Sequence, residues 1–328
     1  MELSMKMISA LPAVLLAMLL IAAVWGKIAS NLTPCPPDVT VEFLAGEIQN
    51  RLYVMVPGML GSDGQRKHWR KIAAELRKRG DVAMIAYPAS ARSNADASQI
   101  AQRISELVQH TSEQKKYQHI VLVGNSMGAL LARKSFLFSE GAAHEQKWRS
   151  PDPWSRQVRR LVLLAGMNRG WDLSGEKPAD MRWYVYYLYS VGFWFANLTN
   201  SGQLALQMQA GAPFVANLRL EWMRWARAEE RSLEAVQLLG DIDEIVRASD
   251  NEDLRVSAAG KFTWIKVRGT GHADILNIDE PEQGLGRYRL NKFIEAIDSP
   301  FAQLQHQSEE LPYGTDVTSF EIPGSPVC

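Results

Sequence analysis

The stretch "HIVLVGNSMGALLAR", residues 119–133, decides how the rest of the chain reads. Ile120, Val121, Leu122 and Val123 form the short apolar run of a strand buried on both faces, and "MGALLARKSFLF" after it reads as helix. Gly124, Ser126 and Gly128 stand between them. A glycine–serine–glycine pattern alone is weak evidence, because these residues are common in turns. The setting sharpens it. A strand that turns at once into a helix brings backbones so close that side chains at positions 124 and 128 collide. The serine at the centre takes a strained backbone conformation costing about 1–3 kcal/mol. Its hydroxyl then stands clear at the strand's end, with a helix N-terminus behind it where developing negative charge is favoured. The other reading is a glycine-rich turn holding an idle serine, and the choice depends on what the rest of the chain supplies.

Outward from this stretch, from about Val39, apolar runs alternate with amphipathic helical patterns, as in an α/β fold whose mostly parallel sheet carries helices on both faces. Strands are expected at 51–56, 81–89, 119–124, 158–166, 233–240 and 261–267. "HWRKIAAELRKRG" puts Trp69, Ile72, Ala73 and Leu76 on one helical face, with Gly80 as a stop. Asn94 or Asp96 caps a second helix, and "GRYRLNKFIEAI" closes the core. Between Gly166 and Leu233 the alternation stops. "MRWYVYYLYSVGFWFANL" is aromatic nearly throughout, and "FVANLRLEWMRWARAEE" reads as helix. The spacing predicts a core of residues 39–166 and 233–300, interrupted by an aromatic-rich cap, 167–232, over the sheet's C-terminal edge. An irregular tail is expected at 301–328.

In this strand–turn–helix setting "GNSMG" resembles the nucleophile elbow of the α/β-hydrolase superfamily, in particular its lipase- and esterase-type serine hydrolases. The resemblance runs from Val39 to Asp298 in strand order and rests on four short motifs. It implies Ser126 as nucleophile, with an acid and then a histidine on loops after later strands. "LEAVQLLGDIDEIV" resembles the family's Gly-x-x-Asp arrangement and implies Asp243 as the acid, with Asp241 and Glu244 as rivals. "KFTWIKVRGTGHADIL" implies His272 as the base; His68, His110, His119, His144 and His306 stand in less suitable places. The oxyanion donors are expected to be the backbone N–H groups of Met127 and Met59. "PGMLGS" resembles the His-Gly-x-x-Gly loop of bacterial lipases and esterases, but Pro57 stands where that loop has histidine. How the loop is braced is therefore a question for the structure. "VRRLVLLAGMNRGW" resembles the strand and turn beside the acyl site. The family needs no cofactor or metal for this chemistry.

The chain has 328 residues, with 36 Lys and Arg balancing 36 Asp and Glu. No single-sign field points to nucleic acid. Its two cysteines, Cys35 and Cys328, have no metal-ligand spacing; they read as unpaired thiols, and a disulfide between them would need an oxidising compartment and termini that meet. Residues 7–25 carry no charge and would span about 28 Å as a helix, close to a hydrocarbon core. The expectation is an N-terminal membrane anchor or signal segment (1–27), a Pro-rich linker (28–38), and a catalytic domain on the extracytoplasmic side. The aromatics of the insert either form its own core and seat, or line an apolar surface for an acyl chain. The expected activity is hydrolysis of a lipid or other carboxylic ester at a membrane. Acyl transfer or thioester cleavage by the same residues, and a non-catalytic scaffold that kept the fold, are the alternatives.

Overall fold

Strand β2 (Arg51–Val56) sends Leu52, Val54 and Val56 into one apolar layer and Tyr53 and Met55 into another, all fully buried. A strand apolar on both faces needs cover on both, which a parallel sheet between two helical layers provides. The computed structural model describes residues 37–48, 50–59, 63–90, 93–142, 148–171, 202–227, 233–246, 250, 254, 261–279 and 284–309. Six further strands are β1 (Thr40–Leu44), β3 (Asp81–Ala86), β4 (His119–Asn125), β5 (Val158–Leu164), β6 (Glu234–Gly240) and β7 (Phe262–Val267). They form one sheet in the order β1-β3-β2-β4-β5-β6-β7. Every neighbouring pair is parallel except β1 with β3. The mostly parallel sheet expected from the sequence is present. Strand β1, "TVEFL", lies at the edge and is largely exposed, so it lacks the apolar run that announces the others.

Helices α1 (Asp63–Arg77), α2 (Ala97–Gln114), α3 (Gly128–Ser139), α4 (Gln203–Gln207), α5 (Pro213–Ala226), α6 (Gly284–Asp298) and α7 (Phe301–Glu309) cover the sheet. Apolar faces of α2, α3 and α5 pack on the side of Leu52, Leu122 and Leu163. Those of α1, α6 and α7 pack on the side of Tyr53, Val123 and Val162. Helix α1 begins at Asp63, one turn before His68, which therefore lies inside it rather than at its start. Asp96 is the cap of α2: its carboxylate accepts the Gln99 N–H at 2.8 Å. Asn94 instead accepts the Gln203 N–H, tying α4 to this loop.

Residues 301–309 correct the sequence reading, which put an irregular tail from 301 onward: they form α7. The polar run "AQLQHQSE" hides Leu304, which is fully buried and whose carbonyl accepts the Thr263 hydroxyl; Phe301 packs against the same core. The N-terminal anchor, the linker to residue 36, the aromatic run at 181–198, the tail beyond 309 and both cysteines lie outside the described residues. Among the described residues no helix is long and apolar enough to cross a membrane.

The described part of the insert sits on α3. Phe136 lies 5.0 Å from the Trp225 ring, edge to face, and Trp222 lies 5.0 Å from Trp225. Trp225 donates its indole N–H to Glu140. Trp222 and Trp225 thus form the insert's seat on the helical layer, where such rings bury large areas. With α5 on its outer side, α3 has every residue buried, including Arg133 and Lys134. The Arg133 guanidinium stacks 4.7 Å over Trp222, and Lys134 pairs with Glu221 of α5, both side chains under 10% exposed.

A buried pair of this kind is costly to break and cheap to replace whole. Glu221→Leu leaves the Lys134 ammonium buried alone and should cost about 3–5 kcal/mol. Lys134→Met with Glu221→Leu should recover most of that, read as the urea midpoint of each variant. A double variant no more stable than the single would remove the pair as what joins α5 to α3.

Candidate active site

Strands β2 and β4 end together, with Val56 opposite Gly124, and β6 and β7 end together, with Gly240 opposite Val267. The loops that follow therefore open at one edge of the sheet. Ser126, the first residue beyond β4, has φ = 51°, a conformation that residues other than glycine rarely take. It is held from both sides by the end of β5. The Ser126 N–H donates to the Leu164 carbonyl at 3.0 Å, and the Ser126 carbonyl accepts the Met167 N–H at 3.1 Å. Asn125 adds its side-chain amide to the same Leu164 carbonyl at 2.9 Å. A Cβ on Gly124 would lie 2.7 Å from Cα of Ala129 in α3. One on Gly128 would lie 2.3 Å from the Val56 carbonyl oxygen and 2.4 Å from that of Pro57. The second collision is thus with the end of the neighbouring strand β2, not with the strand that carries the serine.

The residues singled out after β6 and β7 meet Ser126 here. His272 Nε2 lies 2.9 Å from Ser126 Oγ, and His272 Nδ1 lies 3.1 Å from both carboxylate oxygens of Asp243. The Asp243 side chain is 1% exposed and that of His272 11%. Asp243 Oδ1 also accepts the N–H groups of Ile245 and Val246 at 2.9 and 2.8 Å, which aim the carboxylate at the ring. The two rival acids take other work. Asp241 accepts the Thr270 N–H at 3.3 Å, and Glu244 accepts the backbone N–H of His272 itself at 3.2 Å. Glu244 thus holds the loop that carries the imidazole. His68 is near Asp279, and His110 bonds Gln114 on the surface of α2. His119 begins β4 at the far end of the sheet.

Gly58 lies directly against the serine: a Cβ there would be 2.8 Å from Ser126 Cβ and 2.9 Å from the Asn125 carbonyl oxygen. Met59 follows it, half-buried. The Tyr87 hydroxyl donates to the Pro57 carbonyl at 2.5 Å, so β3's loop braces the segment that has proline in place of histidine. Met127 caps α3 with αR backbone angles and without a side-chain cap bond. Its amide belongs to the helix end whose N–H groups have no intrahelical acceptor. Among the described residues, no three His, Cys, Asp or Glu side chains are grouped so as to hold a metal ion.

Two supporting residues escaped the sequence reading. Gln237, fully buried in β6, donates to the Gly166 carbonyl at 3.0 Å. A lone glutamine in the apolar run "AVQLL" was a legible signal that this strand face meets a backbone carbonyl. Asp250 accepts the N–H groups of Asn168 and Arg169 at 2.6 and 2.8 Å, bracing the turn after β5. It sits in the polar stretch "RASDNED", where nothing marks one carboxylate as buried. Burial pushes its pKa up to about 6; the two amide bonds and the charges of Arg133 and Arg169 oppose the rise without cancelling it.

The model of a family described as the alpha/beta hydrolase family matches residues 53–285, a span that holds Ser126, Asp243 and His272. An esterase from Pyrobaculum calidifontis is similar in structure at a TM-score of 0.50, over 86% of this chain and 91% of its own, with 15% identity. An esterase from Exiguobacterium antarcticum is similar at 0.47, over 80% and 96%, with 15% identity. A monoacylglycerol lipase from Paleococcus ferrophilus is similar at 0.47, over 79% and 99%, with 12% identity. Likeness at such identities is likeness of fold. No curated protein matches the chain in sequence.

Asp250 makes the turn after β5 sensitive to pH. The folded protein binds this proton more tightly than the unfolded chain, whose aspartate takes its ordinary value of 3.8. The resulting stabilisation is complete below that value and is lost as pH rises through about 6. Against Asp250→Asn, the wild type should therefore lose on the order of 2–3 kcal/mol between acid and neutral pH, measured by urea unfolding across that range. A difference between the two proteins that does not change with pH would contradict this.

Proposed function

The chain belongs to the alpha/beta hydrolase family, and we propose that it is a serine hydrolase that cleaves carboxylic esters through an acyl-enzyme on Ser126. The observation that carries this reading is the continuous hydrogen-bonded path from Ser126 Oγ through His272 to Asp243. A serine hydroxyl is a poor nucleophile at neutral pH and needs a base that takes its proton as it attacks. With Nδ1–H donated to Asp243, His272 presents the Nε2 lone pair to the serine. Asp243, fixed by two backbone amides, holds that tautomer and stabilises the imidazolium.

In the reaction, Ser126 Oγ bonds to the ester carbonyl carbon while its proton passes to His272 Nε2. The carbonyl π electrons move to the oxygen, which the amides of Met127 and Met59 receive. Collapse of the tetrahedral adduct expels the alkoxide, to which His272 returns the proton. Water then repeats the sequence on the acyl-enzyme, freeing the acid and restoring the serine. Preorganised donors at the oxyanion act on the transition state more than on the ester, and each is worth on the order of 10²–10³ in rate. The close seat of Gly58 against Ser126 supports this use of the loop.

The substrate class we propose is an ester with a medium or long acyl chain, met at a membrane to which residues 7–25 anchor an extracytoplasmic catalytic domain. The uncharged length of that segment and the aromatic richness of the insert support this.

Rapid-mixing assays with p-nitrophenyl esters of increasing chain length test the proposal. A burst of nitrophenol equal to the enzyme, followed by slower turnover, is the expected course, with kcat/KM greatest beyond the acetate. Asp243→Asn should lower kcat by about 10⁴-fold at unchanged fold, because the imidazole then takes the wrong tautomer. A preference for acetate would overturn the substrate class. A full rate in Asp243→Asn would overturn the mechanism.

A further inference from the structure

A cleft of about 1010 Å³ opens beside the oxyanion segment, between α1 and the end of β3. Ser126 is not among its lining residues, but Pro57 is, the residue before the Gly58 that touches the serine. One wall is mostly apolar, with Met84, Tyr87 and Pro88 among its residues, and also carries Glu42 and Ser90. The other wall is a single face of α1 carrying Arg66, Lys67, Arg70 and Lys71.

That face is electrostatically unfavourable as it stands. Positions 66 and 70, and 67 and 71, are like charges four residues apart, which repel on a helix. Arg66 and Lys67 also lie within the first five residues of α1, where the helix dipole disfavours positive charge. Among the described side chains, two anions answer the four cations. Asp279 takes Lys71 in a hydrogen bond and feels Lys67 at longer range, and Glu42 lies 3.8 Å from Arg70. Arg66 has no acidic partner among the described residues and is exposed. Among the described side chains the cations of this face outnumber the anions that meet them, and they face a wall that is mostly apolar, a combination that matches one kind of occupant.

We infer that the cleft binds an anionic amphiphile, and that it selects ester substrates carrying a carboxylate or phosphate group. The anion lies against Arg66 and Lys67, the apolar body lies along Tyr87 and Pro88, and the ester reaches Ser126 past Gly58. This rests on the reading of Ser126 as nucleophile and adds the charge of the substrate to it.

The test compares p-nitrophenyl hexanoate with the mono-p-nitrophenyl ester of adipic acid, which differs in a terminal carboxylate. The readout is the ratio of their kcat/KM values. Two exposed charge pairs of ordinary strength should favour the anionic ester by about five- to tenfold at ~20 mM salt. That preference should fade at ~0.5 M salt. Arg66→Gln with Lys67→Gln should bring the ratio towards one. Arg103→Gln with Lys116→Gln, the same change of net charge on α2 and the segment just after it, should not. A ratio equal in the wild type and the Arg66/Lys67 variant overturns the inference. If the wild type cleaves neither ester, the hydrolase reading fails and calorimetry judges the cleft alone. Dodecyl phosphate should then bind the wild type and lose affinity in the Arg66/Lys67 variant. Equal binding to both proteins, or inorganic phosphate binding as tightly as dodecyl phosphate, would overturn an amphiphile site.

Discussion

Three strands and a helix meet at one strained residue. Ser126, at φ = 51°, turns the chain from β4 into α3 in one step, and it stays there because the end of β5 grips its amide and its carbonyl. Such a conformation costs about 1–3 kcal/mol and persists only where the surroundings over-determine it. The surroundings here are tight. Gly124 meets α3, Gly128 meets the carbonyls that end β2, and Gly58 meets the serine side chain. No methyl group fits at any of the three. The turn therefore fixes where β2 ends, where α3 starts and where the loop with Met59 lies, and it leaves one hydroxyl facing the sheet edge.

Around that hydroxyl the polar groups are arranged in tiers. His272 touches the serine, Asp243 orients His272, and the amides of Ile245 and Val246 orient Asp243. Glu244 holds the histidine's own backbone, and Gln237 and Asp250 tie the turn after β5 to the strands and helices beneath it. These bonds lie where the low effective dielectric strengthens them, and where an unpaired partner would be expensive. A loop-built site gains rigidity this way without being part of a helix or strand. Asp250 is the exception in kind: its burial outweighs the groups that favour its charge, so the brace it provides changes with pH in the mildly acid range.

The central strands were legible in the sequence because they are buried on both faces, which leaves runs such as "LYVMV" and "HIVLVG" that nothing but a covered sheet explains. The strand–turn–helix pattern around Ser126 was legible for the same reason. Asp243 and His272 were singled out through family likeness, with Asp241 and Glu244 as rivals for the acid, since all three carboxylates share one short loop. Their separation is a matter of direction, set by which carboxylate the backbone amides turn toward the imidazole. Edge strand β1 was missed because an exposed edge needs no apolar run, and α7 because its seat, buried Leu304 with Phe301 packed beside it, leaves no periodic apolar pattern. Helix α3 carries Arg133 and Lys134 as a surface helix would. Their burial follows from α5, which arrives from a distant part of the chain and brings Glu221 and Trp222 to them. Local periodicity holds no trace of such a partner.

The central claim is that Ser126 is an activated nucleophile because His272 takes its proton. Intact-mass analysis after treatment with a fluorophosphonate probe tests it most directly. The account predicts one adduct per wild-type chain, located on Ser126, none on Ser126→Ala, and much slower labelling of His272→Ala. A folded wild-type protein that stays unlabelled, or one labelled as fast without His272 as with it, would contradict the account.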